Sequence, residues 1–282
     1  MDPLAPLILA FYAEGRPRVW SLVITVFGDS VQHRGGRIAS SRLQKLLGRV
    51  GVEPGALRTA LSRLRRDGWV DSLREGRNSF HRLSAGGLAR FAPATERIYA
   101  PPRKGPVPEW TLALGAEGGL PLGAGLSLHP GGLRGAAADC AVTGQLETLA
   151  PAMRETLLDP AHRAALEALF TDIDTLDGVA LAPLDAAAAR TLLIHRWRRL
   201  VLRWPEIPAG LLPEPFDRRD PRAEVARLYA ALSPAAEAWF DTPLGDLPAL
   251  PPPGAAWAAR FGGALSAREP SRLDLHAKRG EC

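Results

Sequence analysis

The strongest hydrophobic pattern in the chain covers residues 54–67, where apolar residues recur at helical spacing. At about 100° per residue, Leu57, Ala60, Leu61 and Leu64 form one narrow stripe, which predicts a helix packed on a core. The other side of this helix is polar and strongly basic, and it carries Arg58, Thr59, Ser62, Arg63, Arg65 and Arg66. Packing does not require these arginines, whereas the phosphates and base edges of a DNA major groove suit them.

A basic hairpin is predicted directly after this helix. Pro54 fits the first helical turn, and Gly68 fits the left-handed position that ends a helix. Residues 75–79 predict a tight turn between two strands, because glycine and asparagine tolerate a positive φ. Arg74, Arg77 and Asn78 lie at this turn, where they are candidate DNA contacts.

Two further helical segments precede the basic helix. Apolar residues at helical spacing predict one helix over residues 19–27, and residues 40–50 predict a second one, capped by Ser40 or Ser41. A glycine pair at residues 35–36 separates them. Helix, turn, helix, turn, helix and hairpin is the order of a winged helix-turn-helix. The alternative is a surface helix with solvated arginines. It does not explain why the neighbouring helices, turns and hairpin follow the winged-helix order.

The second half of the chain contains short strands and longer helices. Residues 100–108 are rich in proline and predict a linker. Strands are predicted at 110–114, 125–128 and 140–144, and helices at 160–176, 185–204 and 222–232. We therefore predict an α+β protein. The helix over 185–204 has an apolar stripe that includes Trp197, beside a basic stripe of Arg196, Arg199 and Arg203.

The distribution of charge separates the two halves. The 282-residue chain has a net charge of +5, but residues 16–104 hold 18 basic residues against 6 acidic ones. The rest of the chain is net negative, with 17 basic and 24 acidic residues. Only the N-terminal part has the charge expected of a module that binds duplex DNA.

Signals for catalysis, metals, cofactors or membranes are not found in the sequence. The two cysteines, Cys140 and Cys282, are far apart, and no catalytic, phosphate-loop or zinc motif occurs. The longest apolar run, residues 19–27, is far shorter than the roughly 20 residues that span a bilayer. We predict a cytoplasmic protein that is not an enzyme, binds no cofactor and has no membrane partner.

Several motifs together resemble the PaaX family, which represses operons for phenylacetic acid degradation. They lie at residues 22–36, 57–70, 74–84, 96–99, 192–216, 226–239 and 259–263. The resemblance implies three domains: a winged helix-turn-helix at 1–100, a central ferredoxin-like (Cas2-like) domain at 109–180, and a helical effector and dimerisation domain at 181–282. It also implies a homodimer that an aryl-CoA thioester, phenylacetyl-CoA in the type members, releases from operator DNA.

The central region departs from the family pattern. Family members place a helix between the first two central strands, and here the run from residue 110 to 128 is too short to contain one. A glycine-rich link over residues 117–125 takes its place. We therefore expect a shortened central domain whose sheet is partly uncovered or is covered by a partner element.

The basic stripe at residues 196–203 has two interpretations. As a ligand site, His195, Arg196, Trp197, Arg199 and Arg203 would hold the phosphates and aryl group of an aryl-CoA. As structural residues, the arginines would form salt bridges to the acidic second half, and this interpretation is favoured. For the whole chain, the alternative to a repressor is a nucleic-acid-binding architectural or nuclease-related protein. The only acidic residues near the first central strand are Glu109 and Glu117.

Overall fold

The chain is a mixed α+β protein, and the computed structural model describes residues 2–15, 17–133, 135 and 137–263. The helices are α1 (Ala5–Ala13), α2 (Val19–Val26), α3 (Ser40–Arg49), α4 (Pro54–Arg66), α5 (Ala85–Ile98), α6 (Pro151–Thr156), α7 (Pro160–Leu176), α8 (Pro183–Arg203), α9 (Pro221–Phe240) and α10 (Ala255–Ala258). The strands are β1 (Arg37–Ala39), β2 (Val70–Glu75), β3 (Asn78–Leu83), β4 (Trp110–Leu114), β5 (Leu120–Gly123), β6 (Leu126–Pro130) and β7 (Cys140–Gly144).

The N-terminal part packs α2, α3 and α4 beside a small antiparallel sheet of order β1-β3-β2. The predicted stripe of α4 is buried, which confirms that this face packs on the core. Gly68, directly after α4, has a φ of +71°, and Gly76 in the hairpin turn has a φ of +57°. Both positions require the left-handed backbone that glycine adopts without strain. Ser84 caps α5, because its Oγ accepts a hydrogen bond from the Gly87 N–H at 2.9 Å.

The predicted cap of α3 is wrong. The N-cap is Ala39, and its side chain makes no capping hydrogen bond. Ser40 is the first helical residue, and its hydroxyl donates to the Ser79 backbone oxygen at 3.1 Å. The reason is tertiary: β1 pairs with β3, which brings Ser79 and His81 next to the start of α3.

The central sheet is antiparallel, with the order β5-β6-β4-β7. The sequence analysis missed β5. The link over residues 115–119 is not helical and leads to β5 on the far side of β6. Gly119 lies against the imidazole of His129, and an added Cβ would come within 2.7 Å of the ring. Gly119 also has a φ of +71°, so a larger residue here would be strained and crowded, and the short link takes the place that a helix has in the family pattern.

Part of one face of this sheet is exposed. Leu112 pairs with Val142, and Leu114 pairs with Leu126, so these side chains point to the same side of the sheet. Between 36% and 65% of each is accessible. No described part of the chain itself covers these side chains, so an uncovered sheet and a sheet covered by a partner element both remain open.

The long helix α8 lies at the centre of the molecule. It packs against α7 and α9 on one side and against α2, α3 and α5 of the N-terminal part on the other.

Helix α9 runs through Pro234 to Phe240, whereas the sequence predicted an end at residue 232. Ala236, Trp239 and Phe240 are buried. Burial of this last turn offsets the cost of a proline inside a helix, which is about 3 kcal/mol.

Buried ion pairs join the N-terminal helices to α8 and α9. Helix α2 continues into a π-helical turn at Phe27–Val31, whose Asp29 is buried. Arg190 of α8 is fully buried, and it reaches Asp29 at 3.0 Å and Glu237 of α9 at 2.6 Å. Arg34 pairs with Glu237 from the other side, and Arg260 pairs with Asp29 at 3.2 Å. We call these five residues the buried charge network.

No helix of the described residues is both long enough and apolar enough to cross a bilayer. Cys140 is exposed on β7, while Cys282 lies outside the described residues.

Candidate nucleic-acid interface

The polar face of α4 is the most basic exposed surface of the N-terminal part. Its six predicted residues are all exposed, while the apolar stripe faces α2 and the core. Arg63 and Arg66 have a carboxylate neighbour, because Asp67 lies 3.5 Å and 3.4 Å from their Nε atoms. Arg58 and Arg65 have no ion-pair partner among the described residues. Their positive charge is therefore the least neutralised on this face.

A groove of about 680 Å³ separates α4 from the hairpin strands β2 and β3. The structure brings together in it four of the predicted residues: Arg58, Ser62, Arg65 and Arg74. The other five do not line the groove; they lie on α4 or at the hairpin turn: Thr59, Arg63, Arg66, Arg77 and Asn78. The groove thus combines side chains of a helix and of a hairpin that are far apart in sequence.

Residues that the sequence analysis did not select complete the groove. Ser40, Ser41 and Gln44, at the start of α3, line the wall opposite α4. From the sequence, Ser40 and Ser41 are predicted only as caps of this helix. The pairing of β1 with β3, which is a tertiary contact, shows that the start of α3 faces the groove. This wall offers hydroxyl and amide groups between the arginines of α4 and those of the hairpin.

His81 forms the floor of the groove and ties its walls together. Its Nε2 lies 2.8 Å from the Ser40 Oγ, and its Nδ1 lies 2.9 Å from the Ser72 Oγ. Since Ser40 donates its own proton to Ser79, it accepts from the imidazole N–H, and Ser72 donates to the other ring nitrogen. Burial, together with the nearby charge of Arg65, lowers the pKa of His81. A neutral imidazole therefore fixes β2 and β3 against α3 at pH 7.

The hairpin carries its own positive charge at the edge of the groove. Arg74 and Arg77 are exposed, and neither has an ion-pair partner among the described residues. Arg37 of β1 is different, because it forms two hydrogen bonds to Glu75, at 2.7 and 2.8 Å, and stacks on Phe80. The hairpin is thus anchored to β1 while its tip arginines remain available.

The predicted ligand residues of α8 divide into two groups. Arg196 is buried in ion pairs with Asp172 and Glu14, as expected for a structural arginine. Trp197 is also buried, and its Nε1 donates to the Ile98 backbone oxygen at 2.9 Å. The remaining three, His195, Arg199 and Arg203, line a second cavity of about 390 Å³, which lies between α8 and the start of α2.

His195 lies at the wall of this cavity, where its Nδ1 is 3.0 Å from the Oγ1 of Thr25. Burial, reinforced by the charges of Arg198 and Arg199, lowers its pKa to about 3. It is therefore neutral at pH 7 and adds no charge to the cavity.

Two family models, a curated relative and a solved structure are similar to this chain. The PaaX-like protein family model matches residues 18–87, which include α2, α3, α4 and the hairpin, and the model for the PaaX-like protein C-terminal domain matches residues 160–242. The Transcriptional repressor PaaX of Escherichia coli K12 is 31% identical, over 86% of this chain and 90% of its own length. A solved structure, that of the uncharacterized protein Rv0674 from Mycobacterium tuberculosis, shares 21% identity with a TM-score of 0.46, covering 77% of this chain and 97% of that one.

The two family models match the helices and hairpin that form the groove and the helices that hold them in place. The identity to a repressor extends over most of the chain, so the nuclease-related alternative is set aside. The chain therefore belongs to the PaaX-like family, and it is a PaaX-type transcriptional repressor rather than an enzyme.

Proposed function

We propose that the protein binds duplex operator DNA through a winged helix-turn-helix formed by α2, α3, α4 and the β2–β3 hairpin. The observation that carries this proposal is the groove between α4 and the hairpin, whose walls hold Arg58, Arg65 and Arg74, none of which has an ion-pair partner among the described residues. In helix-turn-helix docking, the N-terminal half of the recognition helix faces the bases. Arg58 and Thr59 lie in that half of α4, and Ser62 lies one turn after Arg58 on the same face; these three residues are the proposed base contacts.

The remaining predicted residues, five arginines and Asn78, are the proposed phosphate contacts. Arg63, Arg65 and Arg66 follow along α4 toward its C-terminal end, and the hairpin adds Arg74, Arg77 and Asn78. Phosphate contacts position a protein on the duplex without reading its sequence. A repressor that works this way acts in the cytoplasm, where the operator is.

The distinction between base contacts and phosphate contacts gives a first prediction. We expect Arg58→Ala to weaken operator binding by about 1–3 kcal/mol and to relax sequence specificity, because a base contact is lost. Arg77→Ala should weaken binding to all sequences alike and reduce the dependence of affinity on salt. Gel shifts with operator and scrambled duplexes at several salt concentrations measure both effects. Normal operator binding by Arg58→Ala would show that a different face reads the bases.

We also propose that the repressor is a homodimer. One winged helix offers few base contacts, so a tight operator complex needs two, related by a two-fold axis on an inverted repeat. Sedimentation at micromolar concentration should give twice the chain mass of 30.2 kDa, with most subunit contacts in the second half. A 30.2 kDa species both with and without operator DNA would contradict the proposal.

The third proposal concerns release from the operator. An aryl-CoA thioester, with phenylacetyl-CoA as the first candidate, should bind the protein and lower operator affinity, as expected for a repressor of a phenylacetate-type catabolic operon. The support is the second cavity, where His195, Arg199 and Arg203 face the same space. Arg196 and Trp197 are proposed to support this wall from behind, since both are buried in intramolecular contacts. Ligand binding relieves repression only if it favours the conformation with lower DNA affinity.

Operator gel shifts with phenylacetyl-CoA and with free phenylacetate test this proposal. We expect the thioester to release the DNA and the free acid to leave it bound, because the acid lacks the CoA phosphates. Several aryl-CoA esters that leave operator affinity unchanged would contradict ligand release, and the DNA-binding proposal would stand.

We infer the domain division 1–100, 109–180 and 181–282, with α7 packed in space against α8 and α9 of the last domain. The central part is proposed to be a shortened ferredoxin-like (Cas2-like) domain. Numbered along the chain, its strands lie in the order 4-1-3-2, and all neighbours are antiparallel, as in that fold. Among the described residues, both helices of the fold are replaced by loops.

A further inference from the structure

The 390 Å³ cavity is formed by two parts of the molecule. One wall is α8, which contributes His195, Arg199 and Arg203. The opposite wall is formed by described residues of the last turn of α1 and of the start of α2, among them Phe11, Arg18 and Trp20. The ligand-binding residues predicted from the sequence all lie on α8, in the second half of the chain. The structure shows that this cavity has a second wall, which belongs to the N-terminal part.

The cavity carries unneutralised positive charge. Arg18 and Arg203 have no carboxylate partner among the described residues, and both are exposed. Arg199 has one, Glu14, but that carboxylate is 4.0 Å away and its other oxygen is paired with Arg196. Three guanidinium groups thus line one space, and Glu14, the one acidic residue among its described lining residues, is already paired with Arg196. Such a space selects anions, and the planar guanidinium fork matches the oxygens of a phosphate.

The rest of the lining favours an organic anion over a bare ion. Trp20 is half-buried at the cavity wall, and the ring of Phe11 packs edge-on against the imidazole of His195, 5.6 Å away. His195 is neutral because burial lowers its pKa, and its Nδ1 is occupied by Thr25. The cavity therefore has an apolar side beside its basic rim, as ligand sites commonly do.

The position of the cavity links it to the DNA-binding surface. Arg18 directly precedes the first residue of α2, and α2 packs on α4. Arg18 on one wall and Arg199 and Arg203 on the other carry charges of the same sign, and a phosphate between the walls would attract both. An anion in the cavity therefore draws the start of α2 toward α8. Because α2 supports the recognition helix, this movement changes the position of α4.

We propose that the cavity between α8 and the start of α2 binds the phosphate groups of an organic phosphate ester, and that Arg18, Arg199 and Arg203 hold them. Occupancy of this cavity lowers operator affinity through α2. The inference rests on the ligand-responsive repressor proposed above, and it assigns the phosphate-binding residues of that repressor to both parts of the chain. Linkage requires the operator to weaken phosphate-ester binding by the same factor.

Titrations of the full-length protein test the proposal. Inorganic pyrophosphate and coenzyme A are the probes, with sodium sulfate at equal ionic strength as the control for screening. Calorimetry should show saturable binding of both probes, and binding should change the fluorescence of Trp20, a signal that Trp20→Phe removes. Arg18→Gln and Arg199→Gln should each weaken binding about tenfold or more, because each loses a charge-assisted hydrogen bond to phosphate.

The matched control is Arg103→Gln. Arg103 is an exposed arginine that lines a different cavity, of about 500 Å³, beside the 100–108 linker. Its substitution should leave the binding of both probes unchanged. If Arg103→Gln weakens binding while Arg18→Gln and Arg199→Gln do not, the phosphates bind at the linker cavity and the proposal is wrong. If sulfate and pyrophosphate had equal effects, the signal would reflect ionic screening alone, and the proposed phosphate site would be wrong.

Gel shifts on the same variants test the coupling to α2. Coenzyme A should lower operator affinity of the wild-type protein and have a smaller effect on Arg18→Gln. Probe binding that depends on Arg18 but leaves operator affinity unchanged would refute the coupling. Absence of operator binding without any ligand would instead contradict the DNA-binding proposal, so the two failures are distinguishable.

Discussion

Replacement of Arg190 by Ala is expected to lower the free energy of unfolding by about 3–5 kcal/mol. Arg190 has no exposed surface, and it bridges Asp29 at 3.0 Å and Glu237 at 2.6 Å. The buried charge network has each carboxylate between two guanidinium groups. Removal of Arg190 leaves both carboxylates in the interior with one partner fewer, and breaking a buried pair costs this much because a buried charge loses compensation.

Urea unfolding of Arg190→Ala and Arg199→Ala measures this effect against a control on the same helix. Arg199 has a side chain that is 58% exposed and a carboxylate neighbour no closer than 4.0 Å. Its substitution should change stability by no more than about 0.5 kcal/mol. If the free energy of unfolding of Arg190→Ala were lower than that of the wild type by less than about 1 kcal/mol, the buried charge network would contribute little to the attachment of the N-terminal helices to α8 and α9.

The second large effect is a loss of stability in acid that depends on His195. Burial lowers the pKa of His195 to about 3 from its ordinary value of 6.5, so between these values the unfolded chain binds a proton that the folded chain does not. Stability therefore falls as the pH falls below 6.5. At about 1.4 kcal/mol per pH unit, the loss from this residue reaches about 3 kcal/mol at pH 4.5.

A His195→Gln variant isolates this contribution. Its amide retains a hydrogen-bonding group near Thr25 and does not titrate. Burial raises the pKa of Asp172 to about 6, which contributes with the opposite sign and is present in both proteins. The stability of wild type relative to His195→Gln should therefore fall by about 3 kcal/mol between pH 7 and pH 4.5. A constant difference over this range would show that His195 is not buried in its neutral form.

Both effects concern the same contact between α8 and the N-terminal helices. Arg190 meets the π-helical turn after α2, and His195 meets Thr25 inside α2. The proposed phosphate cavity is lined by His195 itself and extends along α8 to Arg199 and Arg203. Helix α8 thus contacts α2, α3 and α5 of the N-terminal part, and α2 and α3 in turn pack on α4.

The amino-acid sequence determines the parts of the DNA-binding surface that depend on neighbours along the chain. The spacing of Leu57, Leu61 and Leu64 places the arginines of α4 outside, and Gly68 and Gly76 fix where the helix ends and the hairpin turns. These features depend on local geometry, where a helical period or a positive φ has one physical meaning. The basic face and its hairpin were therefore predictable residue by residue.

The tertiary structure alone decides which distant charges are paired and which remain free. Arg196 and Arg199 lie on one stripe of α8, yet one is buried between Asp172 and Glu14 and the other faces an open cavity. Asp29 and Arg190 are 161 residues apart, and their helical spacing alone carries no sign of a buried pair. Periodicity reports which side of a helix is polar, whereas burial of a charge depends on the helix that packs against it. The pairing of side chains across the chain could therefore be known only from the fold.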